Sequence, residues 1–150
     1  TCRDIVEWRQ QKSDVEDILR QDIEIGRQHM LMFDCETTFD IWEEEGMKSD
    51  MTLAYPEQPG FRTGTCRSHN AYSLKKRRTM QLLVYPTALM DFGFFGGRYR
   101  DITPEKALEE CIPIIDTCKQ IGGDLVILYH PSQWAFKAAR TWYTEILAYV

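Results

Sequence analysis

The chain carries none of the short signatures of a common catalytic apparatus. It has no GxxxxGK[ST] phosphate loop, no GxGxxG dinucleotide turn, no GxSxG nucleophile elbow and no HExxH zinc helix. Positive charge is also scarce. Eighteen Lys and Arg against 23 Asp and Glu give a net charge of −5, which argues against a general nucleic-acid binder and leaves no nucleic acid among the expected partners. The longest uncharged run, Thr79–Met90, is too short to span a bilayer, so no membrane segment is expected. The five cysteines, Cys2, Cys35, Cys66, Cys111 and Cys118, are odd in number and lack the spacing of a disulfide framework. That usage suits a reducing, cytoplasmic compartment. The opening TCRDIVEWRQQK is polar and mixed in charge, unlike a signal peptide, and begins without methionine, so residues upstream are expected. No repeat or low-complexity tract interrupts the chain.

What remains is one domain's worth of sequence, 150 residues, 43% hydrophobic and 27% charged, enough to bury a core. Ile5, Trp8, Val15, Ile18 and Leu19 predict an amphipathic helix over Asp4–Arg20. A strand is expected over Ile23–Phe33, then a helix through Phe39, Ile41 and Trp42, capped by Asp34 or Thr37 and stopped by Gly46. The acidic run Glu43–Glu45 reads as a solvated face. Met47–Leu53 is read as a strand and Ala54–Tyr72 as a long irregular loop. Lys75–Arg78 (KKRR) is a solvated turn or a patch for an anion. Met80–Tyr85 is an apolar strand extended through Leu89. Thr103-Pro104-Glu105 opens a helix carrying Leu108, Cys111, Ile112, Ile115 and Cys118 on one face, kinked at Pro113 and stopped by Gly122-Gly123. Asp124–Tyr129 is the last strand, and Ser132 caps a last helix through Trp134 and Trp142. Strand and helix alternate, which predicts an α/β fold with a mainly parallel sheet and ligands beyond the carboxyl ends of its strands.

Three places could carry chemistry. The loop Gly60–His69 (GFRTGTCRSH) brings an arginine, a cysteine and a histidine between two apolar strands. Arg62 is its best-placed cation, suited to fixing a carboxylate or an oxyanion, although an exposed arginine with no role is common. Cys66 and His69, three residues apart, make half of a metal site, whereas zinc wants further ligands. His130 ends the apolar run ILYHP, where it is either functional or satisfied within the core. Asp91, between Met90 and Phe92, is costly to bury without a partner. An aspartate that orients a histidine is a common acid–base device, so Asp91–His130 is the pair expected to act. His29 lies in the expected first strand and reads as packed. Cys111 and Cys118 read as core.

Beyond these residues lies a resemblance. The runs Gly26-Arg27-Gln28-His29 with Phe33-Asp34, Glu45-Gly46-Met47-Lys48-Ser49-Asp50-Met51-Thr52-Leu53-Ala54-Tyr55 and Gly60-Phe61-Arg62-Thr63-Gly64-Thr65-Cys66 resemble a divergent branch of the polysaccharide deacetylases (carbohydrate esterase family four). The order continues with Tyr85-Pro86, Leu89-Met90-Asp91, Gly122-Gly123 and Leu128-Tyr129-His130, and spans roughly Ile25 to Leu147. It is similar to proteins of surface-polysaccharide and O-antigen gene clusters. The resemblance implies a partial or distorted (β/α) barrel that removes N-acetyl groups from a sugar or polysaccharide precursor with a divalent metal, zinc foremost. It assigns His130 as general acid, Asp91 as its orienting partner and Arg62 as a brace for the catalytic base. Arg27, His29, Cys66 and His69 fall to the substrate.

The departures matter as much. The family's paired aspartates and its His-x-x-x-His pair have no counterpart here, which leaves the metal ligands unassigned. They would lie upstream of Thr1, in a longer protein, or they have been lost. The alternative is therefore a non-catalytic carbohydrate-binding or scaffold protein, which binds no metal. A third reading, anion or nucleotide binding through Lys75–Arg78, implies salt-sensitive affinity. Exposed edges of a half-barrel would favour a homo-oligomer or docking to a missing half.

Overall fold

The computed structural model describes residues 4–150 and divides into two compact units. One takes in the chain up to Leu53 together with Ser68–Tyr85; the other takes in Ala54–Arg67 and Pro86–Val150. Cys2 lies outside the described residues.

In the first unit, α1 (Ile5–Leu19) starts where the Asp4 carboxylate accepts the backbone N–H groups of Val6 and Glu7, at 3.0 and 3.1 Å. Its apolar stripe is used only in part: Trp8 is buried, whereas Val15, Ile18 and Leu19 are exposed. The strand expected over Ile23–Phe33 shrinks to β1 (Ile25–Gly26). A short 3-10 turn over His29–Leu31 follows, with Met30 and Leu31 at φ 61° and 53°. A left-handed backbone cannot extend a strand, so His29 stands exposed on a turn, neither packed nor in a sheet. Next comes α2 (Thr38–Glu44), with Gly46 at φ 78° beyond its end as expected. Asp34 organises the turn before it by accepting from the backbones of Glu36 and Thr37, and Thr37 makes no side-chain cap.

Three more strands, β2 (Ser49–Asp50), β3 (His69–Ser73) and β4 (Arg78–Val84), complete a sheet in the order β1-β2-β4-β3. The β1–β2 and β2–β4 pairs are parallel, and β3 runs antiparallel to β4. Alternation along β4 buries Met80, Leu82 and Val84 against Trp8, Trp42, Met47 and Ala71. Both charge runs turn out to be engaged rather than merely solvated. Glu43 pairs with Arg78, Glu44 with Lys76 at 2.6 Å, and Glu45 with Arg9 at 2.5 Å. Buried Asp40 accepts from the Ser73 hydroxyl at 2.9 Å and also meets Lys76. The KKRR turn thus clasps α2, and two of its four cations are already neutralised.

In the second unit, β5 (Thr87–Met90) pairs in parallel with a later strand, β6 (Val126–Leu128). Pro86 explains why the run from Met80 to Leu89 is not one strand. Proline offers no ladder N–H, and the chain leaves one sheet before it and joins another after it. Helix α3 (Pro104–Ile121) is capped by Thr103, whose hydroxyl accepts from Lys106, and closed by left-handed Gly122 at φ 66°. It continues through Pro113. The last helix, α4 (Lys137–Tyr149), starts later than expected: Ser132 falls in a 3-10 turn over Pro131–Ala135, and α4 has no side-chain cap. Ala88, Leu89, Phe94, Phe95, Ala107, Cys111, Ile115 and Trp142 form the core of this unit. Cys111 and Cys118 are both buried on the inner face of α3, as read.

The protein is therefore mixed α/β with mainly parallel strands, and the described pairings close no ring. No described helix is long and apolar enough to cross a membrane.

Candidate active site

Asp91 directly follows β5, and His130 lies two residues beyond β6, its parallel neighbour. Parallel pairing brings both to the carboxyl ends of adjacent strands, where side chains project past the ladder. The Asp91 carboxyl is fully buried. Its Oδ1 lies 2.6 Å from His130 Nδ1 and accepts the Phe92 backbone N–H at 2.7 Å. Its Oδ2 accepts the His130 backbone N–H at 2.5 Å. Two donors on this carboxyl are backbone N–H groups, so the ionised acid is the natural acceptor for the third as well. With the hydrogen on Nδ1 Asp91 accepts it, and Nε2 is the other end of the ring.

Phe92 stands edge-on to the imidazole with ring centroids 4.5 Å apart, fixing the ring's second face. The His130 side chain keeps 35% of its surface exposed above the sealed carboxyl. The backbone anchors this geometry: Phe94 and Phe95 N–H groups bond the Asp91 carbonyl, and the Gln133 N–H bonds the His130 carbonyl. Tyr129, just before the histidine, carries a buried hydroxyl with no hydrogen-bond partner among the described residues and packs against Trp134 and Tyr143. Burial first, and the Asp91 charge second, hold its phenol above the ordinary value.

Also in this unit are Arg62 and Cys66. Phe61 packs on the core and Gly60 donates its N–H to the Ala88 carbonyl at 2.9 Å, which pins the start of the loop. Arg62, next along, is exposed and makes neither a hydrogen bond nor an ion pair with any described residue. Among the described residues it braces no carboxylate. Cys66 is buried.

The remaining predicted residues belong to the first unit. His29 is exposed on its turn. His69 is not on the loop at all: it opens β3, half-buried and paired with Val84. Arg27 Nε donates to the Met51 carbonyl at 2.9 Å, and burial lowers its pKa. Its charge acts on a group that sequence reading left without a role, Asp50. That carboxyl is fully buried at the end of β2 and accepts from the Thr52 hydroxyl at 2.5 Å and the Thr52 N–H at 3.0 Å. Burial pushes it up to about 6, against the opposing pull of Thr52 and Arg27. The Asp-x-Thr spacing at a strand end was the available signal.

Among the described residues no three His, Cys, Asp or Glu side chains gather as a metal cradle. His130 Nδ1 is committed to Asp91, and Asp50 to Thr52. The donor set therefore does not fit the divalent ion that the resemblance implies, and no step is derived through one. No family model, curated protein or solved structure matches the chain.

Proposed function

We propose that this chain supplies the proton-transfer part of a polysaccharide-deacetylase-like site, hydrolysing the amide of an N-acetyl sugar. The observation that carries the reading is the Asp91–His130 pair, one carboxylate holding both the backbone and Nδ1 of a half-exposed histidine. In that role Nε2–H protonates the leaving amine as the C–N bond breaks, while Asp91 steadies the charged imidazolium. The mainly parallel strands suit a distorted or partial barrel. Activation of water is assigned to no described residue, and neither His29 nor His69 is drawn into the step.

The test is acetate release from N-acetylglucosamine oligomers by the purified chain, with and without added divalent cations. Release that falls by about 100-fold or more in His130→Ala supports the reading. Equal release by wild type and His130→Ala contradicts it. Oligomer binding without any acetate release points to the carbohydrate-binding alternative.

A further inference from the structure

The Cys66 and Cys118 thiols come from distant parts of the sequence, yet in the second unit both sit against the Gly123–Asp124 turn, and both are free. Both are buried, with 3% and 5% of their surface exposed. One turn holds them there. The Asp124 N–H bonds the Cys66 carbonyl at 2.8 Å, and the Gly123 N–H bonds the Cys118 carbonyl at 2.9 Å. The Asp124 carbonyl accepts the Cys118 thiol at 3.4 Å. Gly123 is required by this arrangement, since a Cβ there would lie 2.4 Å from Cys66 Sγ. Gly123 and Asp124 thus fix both cysteine backbones and gather the two side chains at one turn.

We propose that Cys66 and Cys118 are a redox-active pair, a modification site at which a low-molecular-weight disulfide installs an internal S–S bond. The chemistry is thiol–disulfide exchange. One protein thiol loses its proton and attacks a sulfur of the reagent, expelling one reagent thiolate and leaving a mixed disulfide. The second protein thiol, deprotonated in turn, attacks the protein-side sulfur and expels the other reagent thiolate. Two electrons pass from the pair to the reagent, and the two protons end on its two thiols. The product staples the loop carrying Phe61 and Arg62 to α3. Burial holds the Cys118 thiol up to about 11, so exchange is slow near neutrality and quickens as pH rises.

The experiment treats the folded full chain with oxidised glutathione in mildly alkaline buffer, followed by intact mass and non-reducing peptide mapping. The expected result is a loss of two hydrogens and one peptide joining Cys66 to Cys118, reversed by dithiothreitol. That peptide should be absent from both Cys66→Ala and Cys118→Ala. Persistent glutathione adducts, a bridge involving Cys35 or Cys111, no reaction, or a bridge formed only in denaturant would each overturn the proposal. The wild-type map decides the matter even if a variant fails to fold.

Discussion

Asp50 and Asp91 make a controlled pair. Each is fully buried at the carboxyl end of a parallel strand, Asp50 as the last residue of β2 in one unit and Asp91 just past β5 in the other. Their partners differ. Asp50 takes a hydroxyl and a backbone N–H from a single residue, Thr52, two positions on. Asp91 takes two backbone N–H groups and an imidazole reached across a strand pair. A local hydroxyl satisfies a buried carboxyl but gives it nothing to act through. In the function proposed above, the half-exposed His130 makes the same burial the support of a proton donor. The comparison separates a buried carboxyl satisfied by its near neighbour from one tied to a side chain across a strand pair.

The sharpest way to break the comparison is to delete each carboxyl. Asp91→Ala strands two backbone N–H groups and a ring nitrogen, and should cost about 3–5 kcal/mol of stability by urea unfolding. A loss under about 1 kcal/mol would show that the three bonds do not persist in solution.

The pH dependence of Asp50 comes next. Its folded pKa, about 6, lies above the ordinary 3.8, so the folded state holds the proton more tightly than the unfolded chain. The contribution to stability is present in full below the ordinary value and is lost as pH rises through about 6. Asp50→Asn should remove that fall, an effect on the order of 3 kcal/mol, seen by comparing unfolding midpoints in acid and at neutrality. Parallel curves for variant and wild type would contradict it.

Smaller still is Thr52→Val, which takes away one donor to Asp50 and should move its titration further upward by roughly one unit, read from the carboxyl carbon resonance. Arg62→Ala should change stability by less than about 0.5 kcal/mol, because no described residue holds that guanidinium. Any loss of sugar binding in that variant would then belong to the ligand.

How far the sequence could be read follows the same division between local and distant causes. Asp91 and His130 were legible because each sits at the end of an apolar run, and an acid flanked by Met90 and Phe92 demands a partner. The cap at Thr103 and the stop at Gly122 were legible because they act within one turn. The first strand was not, since nothing in the residue types of Met30 and Leu31 announces the left-handed backbone they adopt. The apolar run hid the break at Pro86, which was read through to Leu89, because the change of sheet there depends on distant pairing partners. The clasp of Glu43 and Glu44 with the KKRR turn needed the β3–β4 hairpin to set them face to face. Cys66 and Cys118 have no local signal at all, because one turn at Gly122–Asp124 brings them together.

The most direct test of the account is the ring tautomer of His130, read by long-range proton–nitrogen NMR at a pH where the imidazole is neutral. Hydrogen on Nδ1, with the lone pair on Nε2, is the predicted state, and Asp91→Asn should redistribute it. Hydrogen on Nε2 in the wild type, unchanged in Asp91→Asn, would mean that Asp91 does not orient this histidine for proton transfer.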